Sequence, residues 1–462
     1  MAVGSIKLPI SGTSSPQWTR PTDWLTIPTP GNQEVIGLMA VYDDGANYVA
    51  LQCTAAYTVD WGDGTITNYA TNTVASRQYV FSTIPSGTTT TKGFRQVLVR
   101  ITPQAGQNLT AVNFGVINPT NNKSTAVGWL EFDIRTPNCL PTYLGSSNSV
   151  RYGRLEKITI RQMSTANMAN IFNNLYSLKS VYIEPSETTG CTQMNSLFAN
   201  CFSLEEVNLF DTSTAVNTSL MFAGCYNLQT VPNFNLSSST NTVTMFQNCY
   251  SLTTIPAFVL GTGTNATQMF LNCYSLVNVG LMNTSGVINF SAMFNTCISL
   301  RTIPLIDTGA GTNFAGMFGL CSSLTTIPLL NTANATDMGS MFNQSSLIYL
   351  PALNMANVLT VNSMFTNCYG LRELPALNMP LVSNFSFWLS NITAISKSNI
   401  TGARFSHSYS NQSLSRANIV TIFTNLGTAS GAQTITVSTN PGYAGLTAGE
   451  RLIATNKGWT IA

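Results

Sequence analysis

The chain has 462 residues, of which only 8% are charged, with a net charge of +2, against roughly 25% charged in a typical soluble protein. No Lys/Arg cluster of the kind that tracks phosphates is present, so nucleic acid is not an expected partner. No apolar run reaches the ~18 residues of a membrane span, so no membrane insertion is expected, and the surface must be built from Thr, Ser and Asn.

In chain order, residues 1–45 are rich in Pro, Thr and Ser and carry Trp18 and Trp24. They read as an arm that docks either on the next domain or on a partner, without the apolar core of a secretory signal. Over 46–103 the pattern alternates, in Tyr48–Leu51, Tyr57–Trp61 and Val97–Ile101, which predicts short strands of a β-sandwich. Trp61-Gly62-Asp63-Gly64-Thr65 predicts a tight turn in which glycine supplies positive φ and Asp63 bonds its own backbone; a calcium site at Asp60 and Asp63 is the alternative. Within 104–165, Leu130–Ile134 and Leu155–Ile160 alternate again and read as connecting strands and the N-terminal cap of a solenoid.

Residues 166–380 repeat one phrase. A Phe falls at 172, 198, 222, 246, 270, 294, 318, 342 and 365, spaced by 26, then 24 six times, then 23. Such regularity belongs to stacked turns, each placing the same side chain against its neighbour. In the turn from Leu324 to Asn343, Leu324, Ile327 and Leu329 are spaced as inward positions of a short strand, with Thr325 and Thr326 facing out. Prolines at 232, 256, 304, 328, 351 and 375 end that strand, because proline donates nothing to a ladder. Thr192, Thr240, Thr264, Thr312 and Thr336, six residues before the Phe, sit where a helix N-cap belongs. Met338, Met341 and Phe342 follow at i, i+3, i+4, and Asn200, Asn248, Asn272 and Asn367 suit a left-handed helix stop. The predicted fold class is mixed β and α/β: a β-sandwich, then a solenoid with one short parallel strand and one short helix per turn, nine turns rising about 43 Å at ~4.8 Å each.

Cys201, Cys225, Cys249, Cys273, Cys297, Cys321 and Cys368 recur in step with the Phe, and Ser345 takes the place between the last two. A site that accepts Ser is a packing position, so the row is read as a structural ladder of reduced thiols. Disulfides and metal ligation are the weaker readings, since no Cys-x-x-Cys or Cys/His pairing occurs.

The phrase Met245-Phe246-Gln247-Asn248-Cys249-Tyr250-Ser251-Leu252, continuing to Ile255-Pro256, resembles the BspA-like class of bacterial surface leucine-rich repeats, in nine copies over about 210 residues. Tyr57 to Thr65, with Tyr79 and Gln96–Ile101, resembles the PKD type of immunoglobulin-like domain, departing from it in the long Ser82–Lys92 insertion. The resemblance implies surface-displayed proteins with a role in adhesion and no catalytic residues to carry over. The start of the sequence departs from the secreted members, having neither a signal peptide nor a lipid-accepting Cys.

Residues 381–462 close the series. Phe385–Leu389 is a degenerate repeat, Ile419–Leu426 and Leu446–Thr455 are predicted helices, and Thr434–Val437 and Trp459–Ile461 are predicted strands, with Trp459 over the end. His407, the single histidine, reads as a solvated side chain.

No catalytic constellation emerges, and none implies a metal or cofactor. Among the acids Glu184, Glu187, Glu205, Glu206, Asp211, Asp307, Asp337 and Glu373, only Asp307 and Asp337 lie in the middle turns, at different positions of a turn; sugar hydrolysis needs two carboxylates within ~5–10 Å. Candidate ligand contacts are the ring row Tyr176, Phe202, Tyr226, Tyr250, Tyr274 and Tyr369, unless those rings merely pack over a corner. The outward face of Thr230, Thr254, Asn278, Thr302 and Thr326 is a second candidate. The expected function is a non-enzymatic bacteriophage virion component, a fibre or decoration protein at the virion surface. Its expected partners are other virion proteins, through the arm and sandwich, and a host-surface glycan or protein, with homo-oligomerisation possible. A bacterial cell-surface adhesin is the alternative, and a glycan-degrading spike enzyme ranks below both.

Overall fold

The computed structural model describes residues 18–43, 47–114, 116, 128–138, 140–142, 154–163 and 167–462. The first 17 residues of the expected arm, Cys139 and parts of the connecting segment lie outside the described residues. The chain divides into two compact units, 1–236 and 237–462. A mixed β-sheet region precedes about twelve turns of a β-solenoid with little helix.

Unit 1 is built on strands β1 (Glu34–Val41), β2 (Tyr48–Cys53), β3 (Tyr57–Asp60), β4 (Ile66–Tyr69), β5 (Val74–Gln78), β6 (Arg95–Pro103), β7 (Ala111–Asn113), β8 (Trp129–Thr136), β9 (Leu140–Thr142), β10 (Lys157–Met163), β11 (Ser180–Ile183) and β12 (Glu206–Val207). Eight strands form one sheet in the order β12-β11-β10-β8-β1-β6-β3-β4, and β5-β2-β7-β9 form a second. Strand β1 is antiparallel to β6 and β8, whereas β8, β10, β11 and β12 run parallel. The eight-stranded mixed sheet therefore runs on into the parallel ladder of the first repeat turns. The expected boundaries at 45/46 and 103/104 fall within this sheet: β1 precedes the first, and β8 and β10 follow the second.

All eight residues of β1 are buried, which follows from its central place. Leu38 and Ala40 pack with Trp24, Phe94 and Leu130, and Trp18 and Leu25 lie against that cluster. Gly37 is required because a Cβ there would lie 2.3 Å from the Trp129 ring. The described part of the arm, from Trp18 onward, packs on its own protein: Trp18 Nε1 donates to Glu156 at 3.0 Å and Arg20 Nε to Glu131 at 2.6 Å. In the 61–65 turn Gly62 and Gly64 have φ of 72° and 89°, Thr65 N donates to Asp63 Oδ1 at 3.0 Å, and Arg77 Nε holds Asp63 Oδ2 at 2.8 Å. Asp63 is therefore a turn and ion-pair residue.

The expected helix of each turn is not formed. In the turn around Phe270, the amides of Ala266, Gln268, Phe270 and Asn272 donate to Asn289, Ser291, Met293 and Asn295 of the next turn, at 2.9–3.0 Å. The intervening amides of Met269, Leu271 and Cys273 close β-turns onto the carbonyls three residues back, at 3.1–3.2 Å. With Thr267 N donating to Asn265 Oδ1 at 3.1 Å, every donor from Ala266 to Cys273 is satisfied, and Gln268 and Asn272 lie in the left-handed region at φ 56° and 63°. The same pair of left-handed residues recurs in turn after turn, for example Ser340 with Gln344 and Ser363 with Asn367. A helix fails here on thickness: it is ~10 Å across, whereas successive Phe rings stack with centroids 5.4 Å (Phe246–Phe270), 5.5 Å (Phe270–Phe294) and 5.9 Å (Phe294–Phe318) apart. Without a helix the threonines are not N-caps; Thr264, Thr312 and Thr336 donate their hydroxyls to Ser239 O (2.8 Å), Ile288 O (3.3 Å) and Thr312 O (3.1 Å) of the preceding turn.

The strand side is also shorter than expected, with two-residue parallel ladders such as Thr254–Ile255 on Asn278–Val279. Burial there follows every third residue, as in Cys321, Leu324, Ile327 and Leu330, where a pleated strand would bury every second. Leu329, expected inward, is consequently 60% exposed.

The cysteine ladder is buried and made of free thiols. Thiols of the row donate to the carbonyl of a Phe in the preceding turn, as Cys201 does to Phe172 (3.0 Å), Cys297 to Phe270 (3.3 Å), Cys321 to Phe294 (3.1 Å) and Cys368 to Phe342 (2.8 Å). Ser345 is buried in the same row, its hydroxyl 3.5 Å from Cys368 Sγ.

The end of unit 2 carries the only α-helices among the described residues, α1 (Arg416–Asn425) and α2 (Ala448–Thr455), capped by Ser415 and Thr447. A parallel three-stranded sheet runs through His407–Ser408, Gln433–Thr436 and Trp459–Ile461. Trp459 is buried, donating Nε1 to Gly427 O at 2.8 Å. His407 is not solvated: it is 6% exposed and packs among Phe385, Trp388, Tyr409 and Trp459 at 4.9–6.1 Å. Burial lowers its pKa from 6.5 to about 4.

Candidate functional site

The proposed contact residues are placed by the repeat itself. The residue after the ladder cysteine follows the second left-handed position of each turn, and stacking in register turns that place into a column. In unit 1, Tyr176 stacks on Phe202 at 4.7 Å and Phe202 on Tyr226 at 4.6 Å, with interplanar angles of 11° and 1°. In unit 2, Tyr250 stacks on Tyr274 at 4.8 Å and 5°. Phe202, Tyr226, Tyr250 and Tyr274 are half-buried, whereas Tyr369 is 66% exposed and donates its hydroxyl to Asn367 Oδ1 at 3.1 Å. Beyond Tyr274 the column loses its rings, because Ile298, Ser322 and Ser346 occupy the place.

Beside the rings runs an amide row that the sequence reading treated only as helix stops. Asn200 Nδ2 donates to Asn174 at 2.9 Å, Asn272 to Asn248 at 2.8 Å and Asn391 to Asn367 at 2.8 Å. On the strand side Thr230, Asn278, Thr302 and Thr326 are exposed, and Thr254 is half-buried. Both surfaces carry hydroxyls and amides without formal charge, groups that donate and accept.

A further ladder escaped sequence reasoning. Asn265, Asn289, Asn313 and Asp337 each accept, through a side-chain oxygen, the amide two residues on, at 2.8–3.1 Å, and bridges join Asn289 to Asn313 and Asn313 to Asp337. The signal was present, an Asx residue five positions before seven of the nine Phe, but it was masked by the assumed N-cap one residue earlier. Asp307 accepts Gly309 N at 2.9 Å in a second such position, so both mid-solenoid acids serve as turn acceptors. Also outward, and not foreseen, are Leu281, Leu305 and Leu329, 60–66% exposed in consecutive turns. Among the described residues no group of three or more His, Cys, Asp or Glu is arranged to hold a metal ion.

The family model described as "Mycoplasma protein of unknown function, DUF285" matches residues 166–278, 264–376 and 307–401. No curated protein matches the chain. Among solved structures, a leucine-rich repeat protein from Bacteroides ovatus ATCC 8483 is 13% identical, covering 72% of this chain and 91% of its own, with a TM-score of 0.27. The mouse RP105/MD-1 complex matches at 12% identity over 66% of this chain and 52% of its own, with a TM-score of 0.25.

Proposed function

We propose, for a chain that belongs to the DUF285 family of repeat proteins, that the solenoid is a non-enzymatic binding surface for a neutral glycan or protein ligand on a cell surface. The observation that supports this reading is the register of the repeat. It sets rings at 4.6–4.8 Å beside amides and hydroxyls, a periodic and uncharged surface on which amphipathic aromatics suit recognition. The setting proposed is a bacteriophage virion, with the chain as a fibre or decoration protein on its surface; a ladder of reduced thiols fits assembly in a reducing compartment. Trp18 and Trp24 are committed to internal packing, so contacts with other virion proteins would use other surfaces of the arm and sandwich, or self-association of the chain. A bacterial surface adhesin is the second reading, favoured by the family's description as a Mycoplasma protein.

Proteomics of purified virions and of bacterial membrane fractions separates the two settings. Binding of the purified, labelled chain to intact cells, with Tyr250→Ala/Tyr274→Ala as the comparison, tests recognition: failure of the wild-type chain to bind any cell surface refutes it. Release of reducing ends from cell-surface polysaccharide by the purified chain would instead make it an enzyme.

A further inference from the structure

The last, degenerate turn of unit 2 differs from the turns before it. At the first left-handed position, where earlier turns carry Ser340 and Ser363, stands Phe387, with φ 54° and its ring 73% exposed. Tertiary packing therefore does not account for that ring. It lies on a recess of about 460 Å³ shared between residues 385–393 and the 408–411 loop, a volume within the roughly 300–1,000 Å³ of small-molecule sites. Trp388 forms part of the wall and is fixed by its Nε1 bond to Ser408 O at 3.1 Å. No Asp, Glu, Lys or Arg lines the recess. Among the described residues the side chains of Ser390, Thr393 and Asn411 make no hydrogen bond, although the backbone of the latter two is engaged by Ser413 and Thr439.

We propose that this recess binds a neutral saccharide unit, with Phe387 as the platform for an apolar ring face and Ser390, Thr393 and Asn411 as partners for its hydroxyls. A charged ligand would be desolvated there without a counter-charge, and an aliphatic one would leave the hydroxyls and the amide unsatisfied. A pyranose matches both demands, with a flat C–H face for the exposed ring and a rim of hydroxyls that donate and accept as the lining groups do. The proposal rests on the cell-surface binding reading and adds a second place to it, the recess in the last turn of unit 2.

The test is calorimetric titration of the full chain with neutral oligosaccharides of glucose, galactose and N-acetylglucosamine, and with an oligouronate as the charged control. The wild-type chain should bind a neutral sugar, with affinity falling roughly tenfold or more in Phe387→Ala and staying unchanged in Tyr349→Ala, an exposed ring outside both candidate surfaces. Thermal unfolding checks that the variant is folded, and Asn411→Asp, which adds a carboxylate at the recess, should also weaken binding. If Phe387→Ala and Asn411→Asp bind like the wild type, this proposal is overturned, and a loss of binding in Tyr250→Ala/Tyr274→Ala would then assign the sugar to the ring column. If no neutral sugar binds but the chain still adheres to cells, this proposal alone falls; if cells are not bound either, the broader reading falls with it.

Discussion

His407 should make the C-terminal cap lose stability as the pH falls from 6.5 towards 4. Its imidazole stacks on Phe385 at 4.9 Å, meets Trp388, Tyr409 and Trp459 edge-on, and has Nδ1 2.9 Å from Phe405 O. None of these rings carries a charge that would favour imidazolium. Burial therefore holds the pKa near 4 in the folded chain, against 6.5 when exposed. The unfolded chain takes up the proton first, so the contribution is complete above pH 6.5, is lost progressively between 6.5 and about 4, and changes no further once the folded state is protonated too. At 1.36 kcal/mol per pH unit, that window corresponds to about 3 kcal/mol. Many carboxylates begin to titrate near its lower end, so the diagnostic quantity is the difference between wild type and His407→Phe, which keeps an aromatic ring in the cage. Urea unfolding, followed by the fluorescence of Trp388 and Trp459 at half-unit pH steps, should give curves that converge by about 3 kcal/mol on acidification. Parallel curves for wild type and variant across this window would refute the reasoning.

Phe294 stacks between Phe270 and Phe318 at 5.5 and 5.9 Å and is fully buried, so Phe294→Ala should cost about 3–5 kcal/mol in chemical unfolding; a loss under ~1 kcal/mol would mean the stack is not a tight core. Burial raises the thiol pKa of Cys321 to about 12 and of Cys368 to about 11. Alkylation at pH 8, mapped by mass spectrometry, should therefore leave both unmodified in the folded chain and label both in urea; rapid native labelling would contradict the ladder. At Asn272, φ 63° favours Gly over Ala, so Asn272→Ala should destabilise by about 1 kcal/mol more than Asn272→Gly, even though both lose the bond to Asn248. Equal losses would show that the amide row, and not the backbone, decides that position.

The repeat was legible because its period is set by the thing that stacks. Phe, Cys and Leu recur where they must be dry, and Phe246, Phe270 and Phe294, like Cys249, Cys273 and Cys297, are all fully buried. The passage of the eight-stranded mixed sheet into the solenoid was not legible, because β8 and β10 alternate as any half-buried strands do, and sequence alone does not name a strand's neighbours. His407 was misjudged for a related reason: a Ser/Tyr-rich segment looks solvated until Phe385 and Trp459, 22 residues before and 52 after it, close over the ring.

The missing helix is the more instructive error, since its spacing was read correctly and its geometry was not. Met338, Met341 and Phe342 lie three and four apart, which a helix and a run of back-to-back β-turns both place inward. What separates the two is the neighbouring turn. A helix spends its amides on its own carbonyls, so turns joined through helices hold each other by side chains and stand about 10 Å apart on that side. Here alternate amides reach the next turn, and that requires a spacing near the ~4.8 Å of a β-ladder and a left-handed residue twice per turn to bring the chain round. Asn at 248, 272 and 367 marked the second of these positions. The first is held by Thr244, Gln268, Ala292 and Ser363, residues with no shared chemistry. Half of the turn code is thus carried by backbone hydrogen bonds between turns, which impose the left-handed conformation whatever side chain stands there, and that half leaves no trace in the sequence.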